Sequence, residues 1–187
     1  TNTHNVLIDE SPYIGSTTEV RDIDWSPNSS RVAIISGDGY IRIWNINAPQ
    51  FALGELIAEI YVGRPLSAVE WSPDGQKIAV AGNISDPQIR FWGANTYAEL
   101  ERTVGSLNVN LMDWNPTNTI IATIYDEIGL PYIPFVMPGY GSTESAYQLC
   151  PSECGLDFPR TLSWSSDGGT LAIGYLGGAI RLIDATT

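Results

Sequence analysis

Histidine, cysteine and basic side chains are scarce in this 187-residue chain, and each scarcity removes a class of chemistry. The single histidine, His4, stands near the start, so Ser-His-Asp and Cys-His arrangements have no well-placed base. Cys150 and Cys154 are the only cysteines, and with His4 they do not supply four zinc ligands at a recognised spacing. Nine Lys and Arg against 21 Asp and Glu give a formal net charge of −12, which argues against phosphate backbones and anionic lipid as partners. No apolar run approaches the roughly 20 residues of a membrane-spanning helix, and no Gly-rich phosphate loop precedes a helix. The SGDG turn at 36–39 lacks the remaining acids of a calcium loop. Carboxylate pairs such as Asp22 with Asp24, or Asp126 with Glu127, arise readily in so acidic a chain. The expectation is a protein that is not an enzyme, with no cofactor, no metal, no nucleic-acid partner and no membrane insertion.

What the chain does contain is repetition. Trp25, Trp71, Trp114 and Trp164 are separated by 46, 43 and 50 residues, close to the roughly 40–45 of a four-stranded propeller repeat. Two residues before each stands an apolar side chain: Ile23, Val69, Met112, Leu162. A turn follows each tryptophan (SPNS, SPDG, NPTN, SSDG), in which Pro presets φ and Asp, Asn or Gly tolerate the turn. Seven residues on come Val32, Ile78, Ile121 and Leu171, and eight residues on come Ala33, Ala79, Ala122 and Ala172. An ungapped register across the turn requires a hairpin of fixed length, with a small side chain where layers approach. Period-2 alternation then predicts strands at about 19–25, 30–36, 40–46 and 55–62, and at about 67–72, 77–82, 88–92 and 97–104.

Ile41-Arg42-Ile43-Trp44 and Ile89-Arg90-Phe91-Trp92, with Ile180-Arg181-Leu182-Ile183-Asp184 as a variant, resemble the third strand of WD40 repeats. The resemblance covers nearly the whole chain and implies an all-β fold, a β-propeller of four WD40-like four-stranded blades. It implies one propeller domain over 1–187, with repeat cores at about 19–62, 67–104, 109–149 and 160–184. The strand at 1–10, carrying Val6-Leu7-Ile8, would complete the last blade. In this family a histidine commonly bonds an Asp of the turn between the second and third strands. Here Asp38 and Asp86 hold the turn position while the histidine never appears, so that buried polar network is expected to be absent. Repeat three departs at LPYIPFVMP, 130–138, where prolines predict an irregular or edge strand, and 139–159 is expected to emerge as a loop.

Four blades lie at the small end of the roughly 4–8 known for propellers. Three arrangements remain open: a closed four-bladed ring, an eight-bladed ring shared by two chains, and an open piece that adds its blades to neighbours. Trp25, Trp71, Trp114 and Trp164, together with Trp44 and Trp92, read as structural anchors between blades rather than as ligand-stacking residues. Arg42, Arg90 and Arg181 are expected to pair with Asp24, Glu70 or Asp113.

Function must then reside on the surface, because a fold shared by many functions does not name its own. Loops between second and third strands and between blades point to Tyr40, Tyr125, Asp126, Tyr140 and Tyr175 as partner-facing residues, since tyrosine offers area and a polar tip. The leading expectation is a non-enzymatic scaffold that binds protein partners. Self-assembly through blade edges into a dimer or filament is the alternative, and a sugar- or small-ligand-binding lectin the third. Cys150 and Cys154, in one loop-like segment, are a disulfide candidate. With a chain that opens on Thr1 rather than Met, this tilts the expectation toward an extracytoplasmic or secreted location. Asn28 and Asn83 match the N-glycosylation sequon.

Overall fold

A computed structural model of the chain describes residues 19–47, 55–82, 88–103, 109–117, 120–125, 132–136, 146–148 and 159–185. These residues form four antiparallel sheets, each a blade. Blade 1 is β1 (Val20–Trp25), β2 (Arg31–Ser36), β3 (Tyr40–Asn45) and β4 (Glu55–Tyr61). Blade 2 is β5 (Leu66–Trp71), β6 (Lys77–Gly82), β7 (Ile89–Gly93) and β8 (Glu99–Arg102). Blade 3 is β9 (Val109–Trp114), β10 (Ile121–Tyr125), β11 (Tyr132–Val136) and β12 (Ala146–Gln148). Blade 4 has, among the described residues, β13 (Pro159–Trp164), β14 (Thr170–Tyr175) and β15 (Ile180–Asp184). The all-β propeller expectation holds, and the strand bounds of the first two repeats fall within two residues of those read from alternation. The His4, Cys150–Cys154, Asp86 and 1–10 expectations lie outside the described residues.

Each first hairpin is set by its turn chemistry. Ser26, Ser72 and Ser165 each accept a backbone N–H five residues on, from Arg31, Lys77 and Thr170, at 2.8–2.9 Å. Their hydroxyls also donate to Asn28, Asp74 and Asp167, whose Oδ1 atoms then take the N–H of Ser30, Gln76 and Gly169. The side chains thereby mimic a further backbone turn. In blade 3 Asn115 replaces the serine and Thr117 bonds its Oδ1. The result is the same register four times: Trp25↔Val32, Trp71↔Ile78, Trp114↔Ile121 and Trp164↔Leu171.

Alternation gives each blade two faces. The leading face of blade 1 carries Ala33, Ile35, Ile41 and Ile43, all fully buried against the trailing face of blade 2, where Val69, Trp71, Ile78, Val80 and Trp92 lie. The leading face of blade 2, with Ala79, Ala81, Ile89 and Phe91, packs in turn on Met112, Trp114 and Ile121 of blade 3. Phe91 and Trp114 meet edge to face, centroids 6.0 Å apart. Ala122 of blade 3 meets Trp164, Leu171 and Ile173 of blade 4. Ala33, Ala79 and Ala122 share these clusters with the neighbouring blade's tryptophan, where a small side chain lets the two layers approach. The series has open ends: Trp25 is 50% exposed where Trp71 is 3% exposed, and Leu182 is 71% exposed where Ile43 is fully buried. The described blades therefore form an arc rather than a closed four-bladed ring.

Two further expectations change. The segment after 139 is not all loop, since β12 pairs with β11 at Ile133↔Tyr147 and Pro134↔Ala146. That places β11 inside the sheet rather than at its edge, with its β10 ladder at Ile121↔Val136 and Ala122↔Phe135, beside Pro134 rather than at it. The polar network is rebuilt rather than missing: Ser36 Oγ donates to Asp38 at 2.5 Å, and Arg42 takes the histidine's part. The Arg42 guanidinium bonds Asp38 Oδ2 at 2.8 Å, Ser36 Oγ at 2.7 Å and Glu59 Oε1 at 2.8 Å, while only 9% of the residue is exposed. Arg42→Met removes this cation and is expected to cost about 2 kcal/mol, the scale for breaking a partly buried hydrogen-bonded pair. Thermal unfolding followed by circular dichroism should show a drop of roughly 4–8 °C for a chain of this size. Arg42→Lys, lacking the planar fork, should recover only part of it.

Candidate protein-interaction surface

The inner strands carry the most unusual electrostatics. The acid before each of the first three anchor tryptophans points forward across the joint: Asp24 Oδ2 accepts the N–H of Trp71 at 2.6 Å, and Asp113 Oδ2 that of Trp164 at 2.5 Å. Asp22 Oδ2 takes the N–H of Val69 at 2.9 Å, and Glu70 accepts from Trp114. Asp24 and Asp113 are therefore committed to backbone N–H groups rather than to the arginines expected to pair with them. Asp24 opposes Ala33, on the leading face, whereas Arg42 opposes Ile34, on the trailing face, so the two stand on opposite sides of blade 1. Arg42 instead pairs with Asp38 and Glu59, Arg90 lies 3.6 Å from Glu99, and the Arg181 guanidinium stacks over Tyr175.

Burial pushes all four carboxyls up. For Glu70 it does so to about 9, reinforced by the negative charge of Asp24, Asp113 and Asp22 and opposed by the Trp114 N–H. For Asp22, Asp24 and Asp113 burial is again the main cause, opposed by the N–H groups they accept. These groups close the joints. No three His, Cys, Asp or Glu among the described residues are arranged to hold a metal ion.

A different surface forms where the turn between β2 and β3 meets the connection from blade 1 to blade 2. Val62 N–H donates to Gly39 O at 2.9 Å, and Gly37 N–H to Glu19 O at 2.9 Å. Gly39 has φ +81°, and a Cβ there would lie 2.9 Å from the Arg64 carbonyl oxygen, so only glycine admits this approach. On this rim the Tyr40 and Tyr61 rings pack against each other at a 38° tilt with centroids 4.7 Å apart, and the Arg42 guanidinium sits 4.8 Å from the Tyr40 ring. Tyr61 is 65% exposed and Arg64 is exposed beside it.

Of the residues expected to face a partner, Tyr40 lies on this rim, half-buried. Tyr175, at the loosely equivalent place in blade 4, is 7% exposed and covered by Arg181, so the structure turns it into the joint. Tyr40 and Tyr175 thus do not form the repeated stacking set a lectin would use. Tyr125 ends β10, while Asp126 and Tyr140 lie outside the described residues. Tyr61 went unread because the alternation of Leu56, Ala58, Ile60 and Val62 drew attention to the other face; its signal was the antiparallel pairing that sets Tyr40 opposite Tyr61. On the opposite rim a cleft of about 180 Å³ lies between blades 1 and 2. Arg31 spans it, bonding Ala94 O at 2.6 Å and stacking over Trp71, so the cleft is braced from within. Asn28, one of the two sequon asparagines, is exposed there with Oδ1 held by Ser26 and Ser30; Asn83 lies outside the described residues.

Residues 5–127 match the family model described as eukaryotic translation initiation factor eIF2A. The chain belongs to this WD40-type family. It is 35% identical over 102 residues to the protein transport protein SEC13 of Chaetomium thermophilum, a match covering 53% of this chain and 32% of SEC13. It superimposes with a TM-score of 0.74 on a chain of the crystal structure of the mitotic checkpoint complex, at 17% identity, over 92% of this chain and 51% of that one. The second likeness establishes the fold alone. The chain spans about a third of the curated relative and about half of the solved chain.

The buried acids set a pH dependence. Glu70 is protonated in the folded chain at neutral pH and ionised when unfolded, so the folded state holds more protons. The stability it contributes is fully present below its ordinary 4.5 and is lost as pH rises toward about 9; Asp22, Asp24 and Asp113 act in the same direction. The melting temperature is expected to fall between about pH 5 and pH 9. Glu70→Gln, which keeps an acceptor for Trp114, should flatten that slope and raise the melting temperature at the alkaline end. An unchanged slope would show that Glu70 is not the group responsible.

Proposed function

We propose that the chain is a non-enzymatic propeller scaffold that binds protein partners through the rim built from the β2–β3 turn and the blade 1–blade 2 connection. The observation that carries this reading is the Tyr40–Tyr61 contact, an aromatic pair held rigid by Arg42 and by a glycine locked against Arg64 O. Rigid aromatics with polar tips give a partner large contact area at little ordering cost. The relatives support it at the level of their names, one a transport protein and one a checkpoint complex. Tyr125, Asp126 and Tyr140, singled out by the repeat pattern, belong to the same proposal as partner-binding residues. The net charge of −12 favours a partner whose contact region is basic or neutral. A second reading, in which the partner is another copy of the chain, is favoured by the half-exposed Trp25 and the open face of blade 4.

The immobilised chain, challenged with extract of its source cells, tests the first reading. Tyr61→Asp lies at an exposed site, where stability effects are usually within about 0.5 kcal/mol, so it should leave thermal unfolding unchanged. It is expected to abolish capture of proteins retained by the unaltered chain; undiminished capture would remove the rim from the binding surface.

A further inference from the structure

The cleft between blades 1 and 2, on the rim opposite Tyr40 and Tyr61, holds a cation that this acid-rich chain leaves without a counter-charge. Arg31 is half-buried there. Its Nη1 donates to Ala94 O at 2.6 Å and its Nη2 to Asn95 Oδ1 at 3.1 Å, and its guanidinium lies 5.1 Å from the Trp71 ring centroid. Both acceptors are neutral. Elsewhere Arg42 meets Asp38 and Glu59, Lys77 meets Glu101 and Arg90 meets Glu99. No carboxylate among the described residues stands within ion-pair distance of Arg31.

The two asparagines that line the cleft add donors of their own. Asn28 commits its Oδ1 to the Ser26 hydroxyl and to the N–H and hydroxyl of Ser30, and Asn95 commits its Oδ1 to Arg31. Each therefore presents its Nδ2 as a donor, one from blade 1 and the other from blade 2. A guanidinium carries five N–H donors, and Arg31 uses two of them on the protein. Donors thus outnumber acceptors around one unbalanced positive charge, and Asp74 is the only acid lining the cleft. We infer that this cleft binds a small carboxylate. A carboxylate only accepts hydrogen bonds, and its planar pair of oxygens matches the planar guanidinium.

Size and charge narrow the ligand. The cleft measures about 180 Å³, against the roughly 150 Å³ of an apolar cavity that takes up benzene, so a carboxylate on a short apolar body has room beside Pro27. The chain's −12 acts weakly here, because charges more than about 8 Å away are screened at physiological salt. Asp74 is the charge that opposes the ligand. It serves the turn, its Oδ1 accepting from the Ser72 hydroxyl and the Gln76 N–H, and Asn28 does the same work in blade 1 with a neutral amide. The site straddles the joint, so a ligand held by Arg31, Asn28 and Asn95 ties the two blades together and stabilises the folded chain by mass action. It shares no residue with the Tyr40–Tyr61 surface.

Titration of the isotope-labelled intact chain with sodium benzoate at constant ionic strength, followed by NMR, tests the site. Benzoate is expected to shift the side-chain amide signals of Asn28 and Asn95 and the Arg31 Nε–H together, saturating with a Kd of about 1–10 mM, the range for so few heavy atoms. Benzamide, of the same shape without the charge, should bind at least about tenfold more weakly. Asp74→Asn keeps the turn and is expected to tighten benzoate by about fivefold. Arg31→Gln should abolish the saturable shift; because it also removes the brace to Ala94 O, Asp74→Asn decides the matter if that variant unfolds. N-acetylglycylphenylalanine binding more tightly than benzoate would assign the carboxylate to the end of a partner chain, and weaker binding would assign it to a free small acid; both outcomes keep the site. Equal binding of benzoate and benzamide, an affinity that Asp74→Asn leaves unchanged, or inorganic phosphate binding more tightly than benzoate would each overturn the inference.

Discussion

The bond from one blade's inner strand to the next blade's tryptophan N–H is what the arc depends on. In a strand, successive side chains point to opposite faces. A dipeptide of acid then tryptophan therefore reaches forward with the first residue and backward with the second. Asp24 caps Trp71, Glu70 caps Trp114 and Asp113 caps Trp164, while each tryptophan shares a buried cluster with the alanine of the blade behind it. Polar and apolar parts of the joint are thus set by the same two positions. A blade cannot shift by one residue without losing both.

That arrangement concentrates acids where solvent is scarce. Burial raises the proton affinity of four carboxyls on three inner strands, with neighbouring negative charge adding to it at Asp24 and Glu70, and the chain tolerates them because each accepts at least one backbone N–H. Charge elsewhere is handled inside single blades, as by Ser36, Asp38, Arg42 and Glu59 in blade 1. Joint chemistry and blade chemistry are separate systems, so the aromatic rim at Tyr40 and Tyr61 can vary without disturbing the joints.

The repeat was legible because it is written in large residues at fixed offsets: Trp25 and its three counterparts, the apolar residue two before, the alanine eight after. The partners of the charged residues were not. Sequence proximity suggested Arg42 with Asp24, but β2 stands between their strands and the two point to opposite faces, a fact that emerges only when both registers are counted across the sheet. The replacement of histidine by Arg42 was hidden for a related reason, since the arginine reaches the turn Asp38 from the third strand. Nor does sequence separate Trp25 from Trp71, which sit in the same local pattern yet differ in exposure from 50% to 3%. Exposure depends on whether another blade packs against that face, and no single repeat carries that information. Tyr40 and Tyr175 differ because one opens a third strand on the rim while the other ends a second strand beneath Arg181 of its own blade.

Blades 2 and 3 each have both faces packed on described neighbours, blade 2 between blades 1 and 3 and blade 3 between blades 2 and 4. In a molecule whose units touch only their nearest neighbours, stability is a sum of unit and boundary terms. Local opening then proceeds from the ends inward. The amides of Val69, Val80 and Phe91, in the middle of blade 2, are the ones whose hydrogen exchange reports global unfolding, while those of β1 and β15 report fraying. A linear array thus carries its slowest clock in its inner units, those with a described blade on either side.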